Sequence, residues 1–151
     1  MTGWRIGYLA APARLVDQAA KSGQNTITNV APFAQKAALA ALSSSEVAET
    51  TREMNRKYEQ RRDLALSLFR NTPGEITAIR PQGAFYLFLD VHSLNQPSAE
   101  LANRLLEETL VSMVPGIAFG KCGEGFLRAT FAASEHAIET GLRRLIDWAN
   151  S

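Results

Sequence analysis

The sequence predicts a mixed α/β protein in which residues 71–151 form a compact α+β domain reached through one long helix. Three observations carry that expectation. Residues 46–70 contain neither Gly nor Pro and mix apolar with charged side chains at helical spacing. After them, strand-like and helix-like segments alternate. Before them, two short helical patterns follow an aromatic and aliphatic run.

The elements follow in order. Gly3 to Ala11 (GWRIGYLAA) reads as a buried strand closed by Pro12. An element starting at the third residue suggests a chain that opens in mid-domain. Leu15, Val16 and Ala19 recur at helical spacing and predict a helix ending near Lys21–Gly23, with Gln24 to Val30 as a connection. Pro32 suits a first helical turn, and FAQKAALAALSS follows with strong helix formers. Ser44 or Ser45 is expected to cap the long helix, and Asn71, Pro73 and Gly74 to end it. Ile76–Arg80 and Ala84–Val91 are predicted strands joined by Pro81-Gln82-Gly83. Ser98 is expected to cap a helix through about Leu110. Val111–Val114 and Phe126–Phe131 are predicted strands around a glycine-rich loop, PGIAFGKCGEG. Ser134 is expected to cap a last helix to about Trp148, with Leu142, Leu145, Ile146 and Ala149 facing inward. The expected division is therefore residues 1–45, the connecting helix 46–70, and the domain 71–151.

Composition narrows the function classes. The 151 residues are 46% hydrophobic and 21% charged, an ordinary globular balance. With 16 basic and 15 acidic side chains, net charge +1, nothing favours nucleic acid or an anionic membrane as partner. The apolar stretches fall short of the roughly 18 residues a membrane helix needs, and the first residues lack a signal-peptide pattern. A lone cysteine, Cys122, forms no internal disulfide, and no Cys/His spacing suits zinc. These features predict a soluble, cytoplasmic protein without a metal.

Two arginines stand out. Arg5 interrupts an apolar run between two glycines, and Arg128 is the one charge in Phe126-Leu127-Arg128-Ala129-Thr130-Phe131. A buried guanidinium needs an anion, and its planar fork suits phosphate or carboxylate. Strand alternation puts Phe126, Arg128 and Thr130 on one face, so Arg128 shares it with an aromatic ring. For both, an exposed arginine or an ordinary ion pair stays open as the alternative. The loop 115–125 matches neither a Walker loop nor a dinucleotide fingerprint. His92 and His136 read as surface histidines and Cys122 as a bystander thiol. Lys21, Lys36, Lys57 and Lys121 lie in polar or helical contexts that would not depress an amine pKa for Schiff-base work.

Taken together, several segments resemble one family. Met1-Thr2-Gly3-Trp4-Arg5-Ile6-Gly7-Tyr8 is similar to the stretch just after the Schiff-base lysine in fold type I, class I/II pyridoxal-phosphate aminotransferases. Gln82-Gly83-Ala84-Phe85-Tyr86 resembles that family's substrate-facing strand. Pro115-Gly116 to Phe119-Gly120, then Phe126-Leu127-Arg128, resembles its C-terminal loop and carboxylate-binding arginine. The resemblance runs in order along essentially the whole chain.

It implies the C-terminal part of the pyridoxal-phosphate transferase fold: a remnant of the large domain, the connecting helix and the small domain. It implies that Arg5 grips the phosphate of pyridoxal 5'-phosphate, that Arg128 pairs with the substrate α-carboxylate, and that Phe85 or Tyr86 lines the substrate side. The Schiff-base lysine would lie upstream of Met1, so the chain alone is expected to be inactive and to contain no catalytic residue of its own. The implied reaction moves an amino group between an L-amino acid and a 2-oxo acid, in a homodimer. A lyase or synthase of the same fold, and a non-catalytic ligand-sensing module, remain as alternatives.

Overall fold

The computed structural model describes residues 2–70 and 76–151. The chain divides into two compact units, Met1–Arg52 and Glu53–Ser151.

The first unit begins with a 3-10 turn, Thr2–Trp4, followed by helix α1 (Ala13–Thr26) and helix α2 (Pro32–Ser43). Pro32 occupies the start of α2, where its missing N–H costs nothing. Trp4 and Phe33 meet edge to face at 6.0 Å. Only Ala34 is buried among this unit's described residues, while Leu15, Ile27, Phe33, Leu39 and Leu42 are exposed.

Two expectations fail here. Residues 3–11 do not form a strand, and Arg5 is not buried. Arg5 has φ 50°, which turns the chain out of the extended region, and no described strand pairs with the segment. Apolar alternation supplies one face of a strand, but the backbone also needs a neighbour to take its hydrogen bonds. α1 also runs past Gly23 to Thr26, because Ser22 and Gly23 carbonyls accept from the Thr26 hydroxyl and the Gly23 carbonyl accepts from the Ile27 N–H.

Helix α3 spans Ser45–Arg70, with the Ser44 hydroxyl accepting from the Glu46 N–H at its start. The expected stop at Asn71, Pro73 and Gly74 lies outside the described residues.

Among its described residues, the second unit is built on four antiparallel strands in the order β1 (Thr77–Ile79), β2 (Tyr86–Asp90), β4 (Phe126–Thr130), β3 (Val114–Pro115). Helix α4 (Ser98–Thr109) and helix α5 (Glu135–Ala149) pack on one face. Strand alternation sends Leu87, Leu89, Leu127 and Ala129 into a core with Leu101, Leu105, Ile138, Leu142 and Leu145, joined by Ala65 and Leu66 of α3. The register pairs Tyr86 with Thr130, Phe88 with Arg128 and Asp90 with Phe126, so these six side chains share the opposite face.

The sequence misplaced two details in this unit. β3 holds only Val114 and Pro115, not Val111–Val114. Leu110 closes α4 at φ 61°, which delays the extended backbone, and Pro115 tolerates only an edge position. Ser98 is fully buried inside the first turn of α4 and makes no cap; the Glu124 carboxylate takes that role. Ser134 does cap α5, accepting from the Ala137 N–H at 3.2 Å. The inward stripe of α5 is Ile138, Leu142 and Leu145, with Ile146 and Ala149 half-buried.

Candidate functional site

Arg128 lies half-buried in the middle of β4, on the sheet face away from the helices. Cross-strand pairing sets Phe88 on one side of it and Val114 on the other. Its Cζ sits over the Tyr86 ring at 4.1 Å and over the Phe119 ring at 4.7 Å. Phe88 stacks on Phe126 at 5.0 Å and meets Phe119 edge-on at 6.1 Å. Among the described residues, no carboxylate pairs with Arg128 and no acceptor takes its hydrogen bonds. A guanidinium framed by rings keeps its planar N–H fork for an incoming anion, and carboxylate fits that fork with two parallel bonds.

The loop between β3 and β4 carries Phe119 to this place. Its two ends meet backbone to backbone: a Cβ on Gly116 would stand 2.0 Å from the Gly123 carbonyl oxygen, and one on Gly123 would stand 2.1 Å from that of Gly116. Only glycine allows such an approach. Next to it, Glu124 Oε1 accepts from the Ser98 N–H at 2.6 Å and Oε2 from the Ser98 hydroxyl at 3.1 Å. These bonds, the Ser98 N–H first, hold the Glu124 carboxyl below its usual range, against a smaller opposing effect of burial. The side of the loop near Gly125 is tight as well: a Cβ there, at φ 80°, would lie 2.2 Å from the His92 ring. His92 Nδ1 lies 2.7 Å from Asp90 Oδ1, and the His92 backbone N–H also donates to that oxygen. Those contacts, the backbone N–H foremost, lower the Asp90 pKa.

The two aromatic candidates separate. Tyr86 touches Arg128, while Phe85 stacks on Tyr58 of α3 at 5.9 Å and meets Tyr86 in a tilted contact at 4.6 Å. Phe85 also lines an open cleft of about 490 Å³ with Tyr58, Glu59, Arg62 and Gln82.

Arg5, in the first unit, is exposed and lines an open concavity of about 690 Å³ with Trp4, Asn29 and Phe33. It too makes no ion pair among the described residues. Lys21, Lys36, Lys57 and Lys121 are all exposed, as are Cys122, His92 and His136. The contact of Glu124 with Ser98 and the place of Phe119 beside Arg128 escaped the sequence reading, which took Ser98 for a helix cap. The signal available for Phe119 was a large aromatic inside a glycine-rich loop; for Glu124 and Ser98 there was none, because they meet across 26 positions of chain.

The family model for aminotransferase class I and II matches residues 1–145. The chain belongs to the class I and II aminotransferase family. It is 36% identical over 145 residues to an aspartate aminotransferase of Pyrococcus horikoshii and 38% identical over 148 residues to a probable aspartate/prephenate aminotransferase of Aquifex aeolicus. Each match takes in 96% of the chain and 37% of the relative. Among solved structures, it is similar to an aromatic aminotransferase from Pyrococcus horikoshii, with TM-score 0.89 and 31% identity over 99% of this chain and 40% of that one. It is also similar to an aspartate aminotransferase from Thermus thermophilus with maleate, with TM-score 0.84 and 35% identity over 97% of this chain and 37% of that one. The chain thus spans about 37% of the length of these curated relatives. The family match agrees with the resemblance read from GWRIGY and the loop before Arg128. The mixed α/β fold class agrees with these structural neighbours. No helix among the described residues is long and apolar enough to cross a membrane.

Proposed function

We propose that this chain contributes the substrate-carboxylate receptor and a cofactor-phosphate ligand to an aminotransferase that moves an amino group between an L-amino acid and a 2-oxo acid. In this reading residues 1–45 belong to the cofactor-binding body, 46–70 form the connecting helix and 71–151 form the small domain. The working enzyme is a cytoplasmic homodimer. The observation that carries the reading is the unpaired, ring-framed guanidinium of Arg128 in a chain of this family.

The residues present fit part of a pyridoxal-phosphate site. The unpaired guanidinium of Arg5, on an open concavity, has the charge and the donor fork for a phosphate. No lysine of the chain fits the covalent role, since each described one is exposed rather than seated in an apolar pocket. When bound, the cofactor supplies an electron sink for charge developing at the substrate Cα. Arg128 would bind the α-carboxylate in the plane of its fork, which fixes the direction of the Cα–H bond without taking part in its cleavage. Tyr86 would form the wall beside that carboxylate, and Phe85 a wall on the side of Tyr58.

Calorimetric titration with maleate, the dicarboxylate held by one solved relative, tests the reading. The chain is expected to bind maleate saturably, and Arg128→Lys to weaken binding by about tenfold or more, since lysine keeps the charge but loses the bidentate fork. Equal affinity in the two proteins would refute the role of Arg128. With pyridoxal phosphate, an amino donor and a 2-oxo acid, the 151-residue chain alone is expected to give no turnover, and measurable keto-acid production by the pure protein would contradict the assignment of its lysines.

A further inference from the structure

Arg128 is held in place without being paired, and that distinction can be traced to one residue of the loop. An ion pair fixes a guanidinium by occupying its N–H donors. An aromatic face fixes it through the negative potential over the ring and leaves those donors free. Tyr86 and Phe119 both act in the second way, with Arg128 Cζ at 4.1 Å and 4.7 Å from their ring centres. The position of Tyr86 follows from β2, whose register places it opposite Thr130, two residues along from Arg128. Phe119 has no such obligation. It ends a 3-10 turn, Gly116–Phe119, its side chain lies outside the core cluster, and the residue is 53% exposed.

A half-exposed phenylalanine on a glycine-rich loop has a hydrophobic cost in water that contacts of its ring can offset. Its ring does have two partners, the Phe88 edge at 6.1 Å and the Arg128 cation. The loop delivering it is fastened twice, by the backbone contact of Gly116 with Gly123 and by Glu124 on Ser98.

We infer that Phe119 is a positioning residue for the carboxylate receptor: its ring, over which Arg128 Cζ lies at 4.7 Å, holds the guanidinium in place while leaving every N–H free for substrate. This rests on the reading of Arg128 as the carboxylate ligand. Phe119 touches the arginine and not the reacting atoms, so it acts through binding rather than bond-breaking.

The test compares Phe119→Leu, which keeps an apolar side chain but removes the ring, with Phe119→Tyr, which keeps the ring. Maleate is the probe, and Arg128→Lys is the reference. Phe119→Leu is expected to weaken maleate about two- to fivefold, the loss that an exposed cation–π contact carries. Phe119→Tyr is expected to bind as the parent does. In the absence of ligand, the Arg128 δ-proton resonances are expected to move downfield in Phe119→Leu as the ring current is lost, and to stay in place in Phe119→Tyr. Parental affinity and unmoved Arg128 resonances in Phe119→Leu, with binding lost in Arg128→Lys, would overturn the role of Phe119 and leave that of Arg128 standing. Parental affinity in Arg128→Lys would instead overturn the underlying reading. A Phe119→Tyr protein as weak as Phe119→Leu would also overturn the inference, because a ring would then not suffice.

Discussion

Replacing Gly116 with alanine tests whether the loop beneath Phe119 depends on a backbone contact. The added Cβ would stand 2.0 Å from the Gly123 carbonyl oxygen and 2.8 Å from that of Phe126. Ordinary contact begins near 3.4 Å, so the Gly123 carbonyl would have to retreat by about 1.4 Å. It cannot do so alone. Glu124 ties the next residue to Ser98, and Phe126 begins β4 opposite Asp90. Overpacking of this kind costs about 1–3 kcal/mol, and with both neighbours being backbone the upper end, about 3 kcal/mol, is expected. For a unit of about 100 residues that corresponds to a fall in Tm of about 12–24 °C. The assay is thermal unfolding followed by Trp148 fluorescence in a Trp4→Phe background, which leaves the reporter in the second unit. Gly141→Ala is the control: nothing lies within 4 Å of its Cβ position in α5, and the change is expected to stabilise by about 0.5–1 kcal/mol through backbone entropy. A Gly116→Ala protein melting within 2 °C of the parent, judged against about 4–8 °C per kcal/mol, would refute the argument that the contact is tight.

Other expectations concern the caps and the loop's acid sensitivity. Glu124 has its pKa lowered in the folded state by the Ser98 N–H above all, so the stability it lends is present above the ordinary glutamate value of 4.5 and is lost as pH falls through the lowered value. Glu124→Gln is therefore expected to flatten the fall in stability below pH 4.5, measured by urea unfolding across that range; an unchanged slope would mean the carboxylate is not held as described. Ser134→Ala removes the acceptor for the Ala137 N–H and is expected to cost about 1 kcal/mol, read from the urea midpoint at constant m-value.

Much of this architecture is written in local pattern. The long helix α3, Pro32 at the start of α2 and the Ser134 cap of α5 each depend on residues within a few positions of one another, and each is legible for that reason. Alternation in β4 foretold that Arg128 shares a face with Phe126, and the register with β2 adds Phe88 to that face. What failed depends on distance. The GWRIGY stretch has the apolar content of a strand but no described strand to pair with, and Arg5 turns left-handed instead. Ser98 looked like a cap because it precedes an amphipathic run. The residue that caps is Glu124, brought there by the loop. Phe119 could be noticed in the sequence as an aromatic among glycines, but only the fold shows which cation it meets.

Whether the Arg128 fork receives a carboxylate can be read at the fork itself. The most direct measurement follows the side-chain N–H resonances of Arg128 by nitrogen-15 NMR as maleate is added, against sodium chloride at matched ionic strength. Downfield, saturable shifts of the Arg128 Nε–H and Nη–H signals are expected with maleate and none with chloride. Unmoved Arg128 resonances, or equal displacement by both salts, would contradict it.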